Sequence, residues 1–197
     1  SSFNLYKAKK ILYKNLSTNL LGRHNVHNIT AALSIVDHLG YKIKKSHILN
    51  FKGTKRRMNI IGKLKKTLFI DDYAHHPTEI ASVLDGVRKV YNQEDIVCIF
   101  QPHRISRVKN LKNEFTNCFN KADTILLCPI YKAGEKLKLG FSYNSFAKLI
   151  AKNSKVNLIM IKNELELKKL IRTYAYGNKI FISMGAGSIS NWVRNLN

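Results

Sequence analysis

From Thr67 onward, short β-rich runs alternate with longer helical stretches, and few architectures satisfy that order. The runs Thr67 to Asp71, Asp95 to Phe100, Thr124 to Cys128, Lys155 to Ile161 and Lys179 to Ser183 read as strands. Between them Pro77 to Val90, Val108 to Asn120, Tyr143 to Lys152 and Glu164 to Tyr174 have helical spacing, and Ser188 to Leu196 reads as a last helix. Each helix returns the chain to the same end of the sheet, so successive strands pair in parallel and helices cover both faces. The expected fold is therefore α/β, a doubly wound and mostly parallel sheet. In such sheets ligands gather beyond the carboxyl ends of the strands. The loops to watch are Asp72 to Pro77, Gln101 to Arg107, Pro129 to Glu135 and Met184 to Ser188.

The first third of the chain reads differently. Ser1 to Ser17 is polar with scattered aromatics and no clear period, whereas Val26, Ile29, Leu33 and Val36 recur at helical spacing between Leu20 and Leu39, with Gly40 at the expected C-terminus. Lys42 to Lys66, basic and broken by Gly53 and Gly62, suits a connector with short strands. The 197 residues fit one domain preceded by a remnant of another, and the expected division is 1–62 and 63–197. No segment approaches the roughly 20 apolar residues that cross a bilayer, and Ser1 to Asn19 lacks the order of a signal peptide. Cytoplasm is the default compartment. Cys98, Cys118 and Cys128 have no metal spacing and read as reduced thiols without a chemical role.

The net charge of +22 is the first footprint of a nucleic-acid surface. Here, however, the lysines are dispersed over nearly every segment, a pattern that supports only non-specific binding. Nucleic acid is therefore not the expected partner, although an anionic small substrate would be drawn in.

Four clusters are open to a chemical reading. Asp71-Asp72-Tyr73-Ala74-His75-His76-Pro77-Thr78-Glu79 places two acids, a phenol and two imidazoles between a strand end and a helix start. Pro77, Thr78 and Glu79 suit the first helical turn, while Asp72, Tyr73, His75 and His76 have no such explanation. Adjacent histidines do not easily share a metal and no third ligand has suitable spacing, so substrate-facing imidazoles are favoured over zinc. Gln101-Pro102-His103-Arg104-Ile105-Ser106-Arg107 presents fixed cationic donors for a carboxylate or phosphate. Asn25 and Asn28 lie three apart, on the face of the early helix away from its apolar stripe, where amides can meet a purine edge or simply cap and turn the chain. Gly185-Ala186-Gly187-Ser188 brings backbone N–H groups to a helix start, but Ser190 and the short remaining chain exclude a dinucleotide fingerprint.

In order, Gly22-Arg23-His24-Asn25, Phe51-Lys52-Gly53 with Arg56-Arg57, the Asp71 to Glu79 string, Phe100-Gln101-Pro102-His103-Arg104, Ala133-Gly134-Glu135 and Gly185 to Ser188 resemble successive signatures of the Mur ligases. The likeness runs over nearly the whole chain from Leu20, and the Asp71 to Glu79 and Phe100 to Arg104 strings are most similar to those of members that add L-alanine. The resemblance implies a Rossmann-like C-terminal domain preceded by the end of a central ATPase domain. It also implies ATP- and Mg2+-dependent joining of L-alanine to UDP-N-acetylmuramate for peptidoglycan. A carboxylate takes the γ-phosphoryl group, the amine attacks the acyl phosphate, and phosphate leaves. Catalysis of this kind is mostly positioning and charge stabilisation.

Carried over by motif position, Asn25 and Asn28 would meet adenine, and Arg57 and Asp72 the ribose and phosphate side. Tyr73, His75, His103, Arg104 and Arg107 would line the pocket for L-alanine and the reacting carboxylate, with Arg107 on the amino acid's carboxylate. His75, His103 and Asp72 stand as the catalytic candidates. Ala74 replaces a residue that the family commonly has as Gly. No G-x-x-x-x-G-K-[ST] phosphate loop occurs, since Gly62-Lys63 is followed by Leu64. The UDP-binding N-terminal domain and most of the central domain also have no counterpart. The expectation is a portion of a ligase that does not turn over alone and depends on those domains. Two alternatives remain open: the related ligase that recycles cell-wall peptides, and a non-catalytic basic binding module.

Overall fold

The structure, a computed structural model, describes residues 1–20, 23–136 and 141–195. Gly22, Leu196 and the side chain of His24, named above, lie outside the described residues. The chain forms two compact units, Ser1–Lys55 and Arg56–Asn197. Among the described residues no helix is long and apolar enough to cross a membrane.

The first unit opens with an antiparallel hairpin, β1 (Ser2–Lys7) and β2 (Lys10–Ser17). Ala8 and Lys9 between them both have positive φ, as a two-residue hairpin turn requires. The sequence showed no period here because the register slips between Phe3 and Leu5 and again between Leu5 and Tyr6, which breaks the two-residue alternation. Helices α1 (Arg23–His38) and α2 (Lys45–Leu49) follow. Leu5, Leu16, Ile29, Leu33 and Ile48 form this unit's core.

The second unit contains β3 (Asn59–Leu64), β4 (Thr67–Asp72), α3 (Pro77–Val90), β5 (Asp95–Phe100), α4 (Ile105–Asn110), α5 (Lys112–Asn117) and β6 (Thr124–Leu127). It continues with α6 (Tyr143–Ser154), β7 (Asn157–Met160), α7 (Glu164–Tyr174), β8 (Lys179–Met184) and α8 (Ile189–Arg194). The strands lie in the order β3-β4-β8-β5-β6-β7, all parallel except β3, which pairs antiparallel with β4. The sheet is thus mixed, and part of the expected connector is its edge strand.

Alternation along each strand feeds two cores. Ile96, Cys98 and Phe100 of β5 join Leu84 of α3, Phe115 of α5 and Phe146 of α6 on one face. Val97 and Ile99 join Leu167 of α7 and Val193 of α8 on the other. Helices on both faces make the unit doubly wound. The helix expected over Val108 to Asn120 is two short ones, broken at Leu111, whose φ and ψ of −110° and 29° are not helical. All three cysteines are buried and free, with their thiols pushed up by burial. Strands β4, β5, β6 and β8 end together at one edge of the sheet, where the polar loops emerge.

Candidate functional site

The two acids that close β4 point to different partners. Asp71 is fully buried and accepts from Ser183 Oγ at 3.1 Å, Ser190 Oγ at 2.6 Å and Arg194 Nη2 at 2.8 Å, joining β4 to β8 and α8. Asp72 is also buried, with Oδ1 accepting from the Ala74 amide at 2.7 Å and Oδ2 from the Met58 amide at 2.8 Å. The Tyr73 amide donates in turn to the Arg56 carbonyl at 2.8 Å. Asp72 therefore fastens the segment Arg56–Met58 to the loop after β4. Arg56 and Met58 both have positive φ, a cost that these bonds offset. The Arg56 and Arg57 guanidinium carbons lie 4.7 and 5.9 Å from the centre of the Tyr73 ring, within cation–π reach. Arg56 also donates to the Gly185 carbonyl.

His76 caps α3. Its Nδ1 accepts from the Thr78 amide, and Glu79 reaches back to the His75 and His76 amides at 3.1 and 3.2 Å. Burial pushes the Glu79 carboxyl up, but those two amides with the charges of His75 and Arg57 outweigh it and hold the group below the usual range. His76, which had no structural explanation in the sequence, thus has one. His75 Nδ1 is 3.0 Å from the Tyr73 carbonyl, an acceptor only, so this nitrogen carries the proton. In the neutral ring Nε2 is then the basic atom.

Beyond β5, Gln101 is buried and spans two loops, donating to Ser188 Oγ at 3.1 Å and accepting from the Ile189 amide at 3.1 Å. The glycines of the last loop are required by this approach: a Cβ on Gly187 would meet Gln101 Oε1 and Tyr131 Cγ, each at 2.5 Å. His103 and Tyr131 form an isolated parallel bridge, with the Arg104 amide donating to the Tyr131 carbonyl and the Tyr131 amide to the Pro102 carbonyl. The His103 ring stacks on Tyr131, centroids 5.4 Å apart and planes 15° from parallel, and meets His75 edge-on at 5.9 Å. Arg104 holds a positive φ of 67° at the start of α4. Glu135 accepts from the Ser106 amide at 3.0 Å and Ser106 Oγ at 2.6 Å, and these bonds hold its carboxyl below the usual range.

Two buried nitrogens here have no partner among the described residues, His103 Nδ1 and Arg107 Nη1. Burial, followed by the charges of Arg107, His75 and Arg104 against an opposing Glu135, holds His103 below the usual imidazole range and favours its neutral form. The loop thus presents a neutral imidazole beside cationic donors, an arrangement suited to an amino acid's carboxylate and amine.

Asn25 and Asn28 line an apolar pocket of the first unit with Ile29, His47, Ile48 and Phe51. Arg57 belongs to the second unit. Among the described residues no group of three or more His, Cys, Asp or Glu side chains suits a metal ion. The described residues therefore do not fit a magnesium site. Tyr131 and Gln101 were not singled out by sequence reasoning, although both lie in loops flagged by the carboxyl-edge rule.

Residues 56–187 match the family described as Mur ligase, glutamate ligase domain. The chain is 51% identical over 197 residues to the UDP-N-acetylmuramate–L-alanine ligase of Pelagibacter ubique, covering 99% of this chain and 42% of that protein. It is 38% identical over 181 residues to the ligase of the same name from Sinorhizobium medicae, covering 91% and 38%. The crystal structure of the UDP-N-acetylmuramate-alanine ligase of Thermotoga maritima superposes with a TM-score of 0.74 at 29% identity, covering 96% of this chain and 40% of that one. The chain thus spans less than half the length of these relatives.

Proposed function

The chain belongs to the Mur ligase family, and from that premise we propose that it supplies the amino-acid side of an ATP-dependent ligase joining L-alanine to UDP-N-acetylmuramate through an acyl phosphate. The observation that carries the reading is the convergence of His75, His103, Arg104 and Arg107 on loops at the carboxyl edge of the sheet, with His103 Nδ1 and Arg107 Nη1 buried and unpartnered among the described residues.

In this reading Arg107 receives the carboxylate of L-alanine, since a guanidinium offers paired donors in the geometry a carboxylate accepts. Neutral His103, with the His75 ring edge-on beside it, lies where the amine must shed a proton as it attacks. Arg104 faces solvent at the loop and meets the phosphate that leaves. Tyr73, held under Arg56 and Arg57, forms the wall of the pocket, and Asp72 acts by fixing that wall. The first unit, taken as the end of the central ATP-binding domain and its connector, receives adenine at Asn25 and Asn28. Magnesium belongs to the part of the ligase beyond the matched span.

The test is ADP release by the chain alone and mixed with the N-terminal portion of the Pelagibacter ubique relative that it does not cover. The reading expects release in the mixture that requires UDP-N-acetylmuramate and L-alanine together. A folded mixture that stays silent, or one that prefers an alanine-headed peptide to L-alanine, overturns it.

A further inference from the structure

We propose that Tyr131 is a positioning residue for His103: its ring, packed on the Gly187 backbone and stacked against the imidazole, fixes the plane of that imidazole at the carboxyl edge of the sheet. Three independent contacts converge on this side chain and its backbone. The ring stacks on His103 at 5.4 Å and 15°. The backbones of His103 and Tyr131 form a bridge, closed by the Arg104 amide at 2.9 Å and the Tyr131 amide at 2.8 Å. The ring also approaches Gly187 so closely that a Cβ there would sit 2.5 Å from Tyr131 Cγ. One aromatic side chain therefore ties together the loops after β5, β6 and β8.

The phenol itself takes no part. Tyr131 is 42% exposed, and neither stacking nor the Gly187 approach uses its hydroxyl. What the ring supplies is a flat, apolar cover over one face of the imidazole, which restrains rotation of His103 and keeps water from that face. The charged and titratable groups that face His103 are Arg104 and Arg107 at the start of α4, His75 after β4 and Glu135 after β6. None of these is removed when Tyr131 is replaced, so a change in His103 reports the loss of the cover. The functional meaning of His103 rests on the ligase reading, whereas the contact does not.

The experiment is a histidine-labelled NMR titration of this chain and of Tyr131→Phe, Tyr131→Ala and Tyr131→Leu, with His103 assigned through His103→Gln. Resonances of His38 and His47 serve as internal references. Tyr131→Phe should leave the His103 midpoint and line width as in the parent. Tyr131→Ala and Tyr131→Leu should raise the midpoint by about half a pH unit or more, because exposing the ring relieves the burial that disfavours its charged form. Unchanged His103 titration in either folded variant overturns the proposal. Collapse of both, with Tyr131→Phe folded and titrating as the parent, also overturns it, since the ring would then be structural only. A silent ligation assay would remove the proposed reaction without touching this titration, and an active ligase with an unmoved His103 would remove this inference alone.

Discussion

Arg194 reaches the fully buried carboxylate of Asp71 through two nitrogens, Nε at 3.2 Å and Nη2 at 2.8 Å, while its own side chain remains 40% exposed. The two ends of this pair therefore differ in what their loss leaves behind. Arg194→Ala strands a buried charge with hydroxyl donors only, at a cost of about 3–5 kcal/mol. Asp71→Asn keeps the shape and releases a guanidinium that water can solvate, at about 1–3 kcal/mol. Urea unfolding should show the arginine variant as the weaker of the two, and equal losses would contradict the assignment of Asp71 as the buried anchor.

Glycines at two positions predict opposite signs. Gly187→Ala forces a methyl into Gln101 and Tyr131, and overpacking of this kind costs about 1–3 kcal/mol. Gly86→Ala places its methyl in open space inside α3, where alanine is favoured over glycine by about 0.5–1 kcal/mol. Melting temperatures should fall for the first and rise for the second.

Strands β4, β5, β6 and β8 and helices α3 and α7 follow from apolar periodicity, because each buries regularly spaced residues. The hairpin β1–β2 is invisible because its register slips twice within a few residues. β3 hides in a basic stretch because an edge strand buries little, leaving Ile60 and Leu64 exposed. Asp71 and Asp72 are adjacent in one string, yet Asp71 packs inward on α8 while Asp72 holds the Arg56–Met58 segment. Side-chain partners more than a hundred residues apart leave no local signal. Tyr131 was missed because its importance lies in His103 and Gly187, both far from it along the chain, rather than in its neighbours in sequence.

The His103 pH dependence has a definite sign. With its folded midpoint below the ordinary imidazole value, the unfolded chain binds the proton more readily than the folded one. Stability is then unaffected by this group above the ordinary value of about 6.5 and falls as pH drops from there toward the folded midpoint. Glu79 and Glu135, held below the usual carboxylate range, contribute stability that is lost only at more acid pH, as it falls through their folded values. Urea midpoints measured across this range should flatten near pH 6 in His103→Gln relative to the parent. An identical slope in both proteins would mean that His103 is not held neutral.

The proposed ligase function requires the amino acid's carboxylate to meet Arg107. The direct measurement is the KM for L-alanine of Arg107→Ala in the reconstituted ligase, alongside the KM for ATP. Loss of a charge-assisted pair worth about 1.5–3 kcal/mol predicts a KM for L-alanine raised about 10- to 100-fold, with the KM for ATP unchanged. An unchanged KM for L-alanine, or one that moves only together with that for ATP, contradicts the placement of the amino acid in these loops.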